Sequence, residues 1–158
     1  MTNPGAIELR DVSRDDLPVF FEHQRDPVAV KMAAFRSREW EEFEKHWERI
    51  LADPATTQRA ILVDGKVAGN IGAYDAGGER GERLVGYWID RALWGRGVAT
   101  RALELFLECE AKRPLHARVV TTNRGSIRVL EKCGFVRIGN EVDVTAEPPV
   151  EELIYERA

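Results

Sequence analysis

Apolar and polar residues alternate along Ile7-Glu8-Leu9-Arg10-Asp11-Val12, with one break at Asp11, and this period of two predicts a first strand. Ser13, followed three positions later by Asp16, resembles a capping box. The helix it opens passes through Phe20, Phe21 and Gln24 and stops near Asp26-Pro27. Trp40, Phe43, Trp47, Ile50 and Leu51 then fall at helical spacing with charges around them, which predicts a second helix capped by Ser37 and ended by Asp53-Pro54. Arg59 to Val63 and Lys66 to Ala73 are strand patterns flanking Asp64-Gly65, a strong hairpin signal. Gly77 to Gly81 reads as a flexible loop, and the largely apolar Leu84-Val85-Gly86-Tyr87-Trp88-Ile89 as a central strand.

From Val98 to Lys112 the period is helical again, with Ala99, Ala102, Leu103, Phe106 and Cys109 on the face expected to be buried, and Pro114 marks the stop. Leu115 to Thr121 predicts a strand, Ser126 to Cys133 a short helix closed by Gly134, and Phe135 to Val144 and Leu153 to Tyr155 two last strands joined through Pro148-Pro149. The predicted order is βααβββαβαββ. The early hairpin implies antiparallel pairing and the later strand-helix-strand unit a parallel pair, so the fold class is a mixed α/β (α+β) sheet.

At 158 residues the chain fits a single domain spanning residues 1–158, which at this size buries roughly 70% of its unfolded surface. Two cysteines, Cys109 and Cys133, give no disulfide framework, and no Cys/His cluster has zinc spacing, so no metal is expected. The first residues, MTNPGAIELR, lack the basic and apolar stretches of a signal peptide, and no apolar run approaches the ~20 residues of a membrane span. These features point to the cytoplasm and away from a membrane. The formal net charge of −4 argues against a nucleic-acid scaffold, is compatible with attraction of a cationic amine, and also serves plain solubility.

The chemistry concentrates in Asp90-Arg91-Ala92-Leu93-Trp94-Gly95-Arg96-Gly97-Val98-Ala99-Thr100, which joins the central strand to a helix. Two glycines permit close backbone approach, and the helix start offers free N–H groups at the positive end of a dipole. Together they suit a phosphate or pyrophosphate, although such a turn in isolation can equally be a ligand-free connection. The G-x-x-x-x-G-K-[ST] phosphate loop is absent. A dinucleotide fingerprint fits poorly: Thr100 stands where its third glycine belongs, and Arg118, Val119 and Val120 stand near the position of its acidic residue.

The run YWIDRALWGRGVATRAL resembles the coenzyme A signature of the GNAT N-acetyltransferase superfamily, [QR]-x-x-G-x-[GA], with Gly97 and Ala99 at its last two positions. Trp94 replaces the usual Gln or Arg, a departure familiar in the branch resembling ribosomal-protein N-terminal acetyltransferases (RimJ/RimL type), whose turn often reads W-G-x-G-x-A. Further on, TTNRGSIRVLEKCGFVRIG resembles the second motif, N-x-x-[SA]-x-x-x-[YL]-E-K-x-G-F, through Asn123, Ser126, Glu131, Lys132, Gly134 and Phe135. The resemblance implies a mostly antiparallel sheet of about six to seven strands, about four flanking helices, and a splayed parallel strand pair that holds acetyl-coenzyme A between strands ending at Ile89 and Thr121.

The resemblance also implies roles. Backbone amides of Trp94, Gly95, Arg96, Gly97, Val98, Ala99 and Thr100 would hold the pyrophosphate, and the carbonyl edge of Trp88 and Ile89 would pair with the pantetheine arm like an added strand. Asn123 would touch the same arm, cap its helix, or do both. Arg124, Arg128 and Lys132 share a helix face, either as a solvated stripe or, with Arg128 foremost, against coenzyme phosphates. Many relatives carry a tyrosine donor where this chain has Leu130, leaving Ser126 as the candidate acid for the leaving thiolate, with helix capping as its rival role.

Candidate bases are Glu82, His23 and His116, none of them marked by a motif. Without a strong base an α-amine (pKa near 7.8, roughly 14% neutral at pH 7) is acylated more easily than a lysine (about 0.04% neutral). Cys109 and Cys133 read as packing residues, since a covalent route needs an activated thiolate. His23, Phe35 and Trp40 would border the acceptor, a peptide N-terminus or small-molecule amine, and relatives of this kind often form homodimers. The expected activity is direct acetyl transfer in a ternary complex. A non-catalytic acyl-coenzyme A sensor is the alternative, and turnover separates the two.

Overall fold

The computed structural model describes residues 5–34, 36–77 and 81–158. Its strands are β1 (Ile7–Asp11), β2 (Thr57–Val63), β3 (Lys66–Asp75), β4 (Arg83–Ile89), β5 (Leu115–Val120), β6 (Val136–Asp143) and β7 (Val150–Arg157), and its α-helices are α1 (Leu17–Arg25), α2 (Pro27–Met32), α3 (Trp40–Ala52), α4 (Val98–Cys109) and α5 (Arg124–Lys132). The strands form one seven-stranded sheet in the order β1-β2-β3-β4-β5-β7-β6. Only the β4–β5 neighbours run parallel. This is the mixed, mostly antiparallel α/β architecture expected. Phe35 and the middle of the expected Gly77–Gly81 loop lie outside the described residues.

Local chemistry explains the element boundaries. Asp64 and Gly65 both have positive φ, 49° and 81°, the geometry of a two-residue turn whose twist matches its flanking strands. The capping box is present: the Asp16 carboxylate accepts the Ser13 N–H at 2.8 Å and the Ser13 hydroxyl accepts from Asp15. The Asp26-Pro27 pair, expected only to end a helix, also begins one. The Asp26 carboxylate caps the N–H groups of Val28 and Ala29, and Pro27 takes the first helical position, where no N–H is needed. Glu39, not Ser37, occupies the N-cap of α3, and it makes no side-chain bond there.

Two cores sandwich the sheet. On one face α4 and α5 bury Ile61, Ile71, Val85, Leu103, Phe106 and Leu130. On the other, α1 and α3 bury Phe20, Phe21, Phe43 and Trp47 against Ala60. The helix expected to reach Lys112 ends at Cys109, because Glu110 turns inward to a buried arginine; Cys109, expected to be buried, is exposed at that end. Arg83 uses all five of its N–H donors. Two go to the Glu110 carboxylate (3.1 and 3.2 Å), and the others to the Ala55 carbonyl (2.8 Å), Asp75 (3.0 Å) and the Thr57 hydroxyl (3.1 Å). This clamp fixes the beginning of β4 to the end of α4.

Candidate active site

Immediately beyond the clamp, β4 and β5 share a single register pair, Leu84 with His116. They then diverge. The Ala76 N–H bonds the Glu82 carbonyl and the Asp90 N–H bonds the Ala68 carbonyl, with Gly86 opposite Gly72 and Trp88 opposite Asn70 between them. Backbone groups of alternate residues in an antiparallel pair face opposite ways, so the even-numbered residues of β4 bond to β3, and Tyr87 and Ile89 present their N–H and C=O to the gap. The expectation for the Trp88 carbonyl is thereby corrected. It faces β3, where a Cβ added to Gly69 would collide with it, and the Trp88 indole N–H donates to the His23 carbonyl at 3.1 Å.

The divergence opens a cavity of about 990 Å³ that passes between the two strands. Of the residues expected to hold a coenzyme, Trp88, Ile89, Trp94, Gly95, Gly97, Val98, Ala99, Thr100, Asn123 and Arg128 line it, as does Ser126. Arg96 lies in the same turn with its side chain exposed and is not part of the wall. Gly95 and Gly97 have φ of 76° and 79°, a left-handed conformation that costs a residue with a Cβ roughly 1–2 kcal/mol. The Trp94 indole N–H donates to the Ile89 carbonyl at 3.0 Å and folds the turn against the end of β4. Gly97 caps α4 without a side chain, and the first helical bond comes from Arg101 to the Gly97 carbonyl. The N–H groups of Val98, Ala99 and Thr100 therefore have no intrahelical partner.

The Asn123 carbonyl oxygen accepts the Ser126 N–H at 3.2 Å, so the capping role is realised. Ser126 Oγ lies 2.6 Å from the Tyr87 hydroxyl. Burial pushes the Tyr87 phenol up to about 12, with the Ser126 bond opposing that rise. Tyr87 went unnoticed in the sequence because it sits inside an apolar strand run. The available signal was its phenol, since a buried tyrosine hydroxyl needs a partner. Leu130 is fully buried in the core. Arg124, Arg128 and Lys132 all border the cavity from the exposed side of α5.

The candidate bases stand apart from the wall. His116 Nε2 lies 3.0 Å from Glu156, and Glu82 lies 3.6 Å from Arg118. His23 Nε2 is 3.8 Å from Asp90, and burial lowers its pKa against the pull of that carboxylate. Cys133 is buried beside the Thr100 carbonyl, and burial raises its pKa, the opposite of an activated thiolate. Among the described residues there is no metal-holding cluster of His, Cys, Asp or Glu, and no helix is long and apolar enough to cross a membrane.

Known proteins share this fold. Residues 6–136 match the family described as the acetyltransferase (GNAT) domain. A 61-residue stretch is 41% identical to the probable N-acetyltransferase YjcK of Bacillus subtilis (strain 168), covering 35% of this chain and 33%, about a third, of that relative's length. Among solved structures, an acetyltransferase (GNAT family) from Bacillus anthracis aligns over 96% of this chain and 93% of its own with a TM-score of 0.80 at 16% identity. The spermidine N-acetyltransferase from Vibrio cholerae, in complex with CoA and spermine, aligns over 94% of each chain with a TM-score of 0.79 at 16% identity. These two likenesses establish a shared fold, and the family match covers most of the sequence: the chain belongs to the GNAT acetyltransferase family.

Proposed function

We propose that this chain is an N-acetyltransferase of one catalytic domain that moves the acetyl group of acetyl-coenzyme A directly to a primary amine, a peptide N-terminus or a small amine such as a polyamine. The carrying observation is the gap between β4 and β5. It has open backbone groups along its walls, the uncapped start of α4 at one end, and the Tyr87–Ser126 hydroxyl pair between. The W-G-x-G-x-A form of the turn, Trp94 to Ala99, supports the branch resembling ribosomal-protein N-terminal acetyltransferases. The two free thiols support a reducing, cytoplasmic setting.

The residues fit the coenzyme. The N–H groups of Val98, Ala99 and Thr100 and the open glycine turn suit its pyrophosphate, and Arg124, Arg128 and Lys132 suit its further phosphate. Tyr87 and Ile89 offer strand-like bonds to its amide-bearing arm. When bound, acetyl-coenzyme A supplies the acyl group as a thioester.

The protein's own contribution is positioning and charge stabilisation. A gap-facing N–H of β4 can donate to the carbonyl oxygen as negative charge develops on it. The Tyr87–Ser126 pair faces the leaving sulfur. A phenol near 12 cannot surrender its proton outright to a thiolate whose conjugate acid titrates near 8.5, because that is uphill by about 3.5 units, or about 5 kcal/mol. The pair therefore stabilises the departing sulfur by hydrogen bonding and hands on a proton only as it receives one from the acylated nitrogen.

The test is free-thiol release from acetyl-coenzyme A with peptide N-termini, lysine peptides, polyamines and other small amines, with Gly97→Trp to block the turn. Release with one amine class, abolished by Gly97→Trp, is expected. Tight coenzyme binding without release for any amine would replace this reading with a sensor.

A further inference from the structure

The cavity extends through the sheet, and its two ends differ in chemistry. Val85, Tyr87 and Ile89 lie on the α4–α5 face, where Tyr87 meets Ser126. On the opposite face, strand alternation places Gly86 and Trp88 of β4, Arg118 and Val120 of β5, and Glu152 of β7, which stands in register between Val120 and Glu141. A Cβ at Gly86 would meet nothing within 4 Å, so this end has an open floor of bare backbone. Among the described residues, the cavity wall carries one carboxylate, Glu152, and no imidazole.

Resting on the acetyl-transfer reading above, we infer that Glu152 is the catalytic base: its carboxylate takes a proton from the acceptor ammonium at the face of the sheet opposite Tyr87 and Ser126. The step balances. The ammonium loses one proton to Glu152, which later releases it to solvent. The neutral nitrogen forms the bond to the acyl carbon as the carbon–sulfur bond breaks, and the second nitrogen proton ends on sulfur. The two proton-handling sites thus stand on opposite faces, with the acyl carbon between them.

The surroundings suit this role. Among the described residues no side chain hydrogen-bonds the Glu152 carboxylate, so its lone pairs are available to a ligand. The groups facing it are Arg118 on β5, Glu141 and Asp143 on β6, and Tyr74 on β3. Arg118 is already held by Glu141 at 2.9 Å and Glu82 at 3.6 Å. Burial, opposed by Arg118 and reinforced by Asp143 and Glu141, raises the Glu152 pKa above its ordinary value, which makes its carboxylate a stronger base.

The experiment is the pH profile of kcat/KM for wild type, Glu152→Gln and Glu152→Ala, with an accepted amine of pKa about 10. Coenzyme A affinity and thermal melting are measured alongside, with Glu151→Gln as the control on the opposite face of β7. Wild type should plateau between the titrations of Glu152 and the amine. In Glu152→Gln the plateau should be replaced by a unit-slope rise to the amine pKa. The loss should be about 1,000-fold near pH 7, shrinking about tenfold per pH unit to near parity at pH 10, with coenzyme affinity and melting unchanged. Parallel profiles within threefold would overturn the assignment, as would a raised KM at constant kcat, which marks simple ammonium binding. Absence of thiol release by wild type with every amine removes the acetyl-transfer reading itself, and this inference with it.

Discussion

Arg83→Met tests the clamp at the root of the gap. Arg83 and Glu110 are buried, their side chains 6% and 4% exposed, and the substitution removes all five guanidinium bonds while leaving the Glu110 carboxylate with only the Lys112 N–H at 3.4 Å and the Thr57 hydroxyl. Stranding one member of a buried pair costs about 3–5 kcal/mol, a large share of the roughly 5–15 kcal/mol that holds a typical domain folded. At about 2–4 °C per kcal/mol for a chain of this size, the midpoint of thermal unfolding should fall by roughly 6–20 °C. Urea titration gives the free energy directly, and the double variant Arg83→Met/Glu110→Leu should recover much of the loss because no charge is left buried. The pH dependence provides an internal check. Burial alone would raise the Glu110 pKa, but the bonds from Arg83 and Thr57 outweigh it and hold the pKa below 4.5. A carboxylate depressed in the folded state stabilises above its unfolded pKa and loses that contribution as pH falls through the folded value. Wild-type stability should therefore decline below about pH 4.5, and Glu110→Leu should flatten that decline. A loss under 1 kcal/mol for Arg83→Met, with an unchanged acid limb for the double variant, would refute the clamp.

Other outcomes follow from the same geometry. Tyr87→Phe should lower kcat about 10- to 100-fold with little change in KM, the value of one hydrogen bond to a developing charge; steady-state thiol release reads it, and an unchanged kcat would remove Tyr87 from the mechanism. Gly69→Ala drives a methyl into the Trp88 carbonyl oxygen and should destabilise by about 1–3 kcal/mol in urea titration, whereas Gly86→Ala, with open space at its Cβ, should not strain the sheet and should instead raise the KM of bulky amines. In the native protein a disulfide reagent at pH 8 should modify Cys109 rapidly and Cys133 only after denaturant is added, because Cys109 is exposed and Cys133 is buried with a raised pKa; equal rates would contradict that burial.

The sequence was most readable where one residue type enforces one backbone state. Asp64-Gly65 specified its turn, Ser13 and Asp16 their cap, and Gly97 the entry to α4. The turn from Trp94 to Ala99 was readable for the same reason, since its left-handed backbone at Gly95 and Gly97 favours residues without a Cβ. The helix α2 was missed because proline carries two meanings, ending one helix or opening the next, and the deciding contact is the Asp26 carboxylate on two N–H groups. Glu152 was not legible at all. It belongs to a strand whose N-terminal half was not recognised, Val150–Arg157 against an expected Leu153–Tyr155, and its placement depends on a register with β5 and β6 that no local pattern encodes. The Trp88 carbonyl was misassigned for a related reason: which way a carbonyl points depends on which neighbour a strand bonds, a property of the pair.

The divergence of β4 and β5 gives this sheet four edges instead of two. The outer edge strand β6 carries the exposed apolar side chains Val136, Ile138 and Val142. The inner edges, on β4 beyond Leu84 and on β5 beyond His116, face the cavity. Paired strands sit about 4.8 Å apart, and an extended guest lying between β4 and β5 would bond to both inner edges at once. The inner pair of edges keeps the unpaired backbone groups of a bare edge, but turns them toward each other across the cavity.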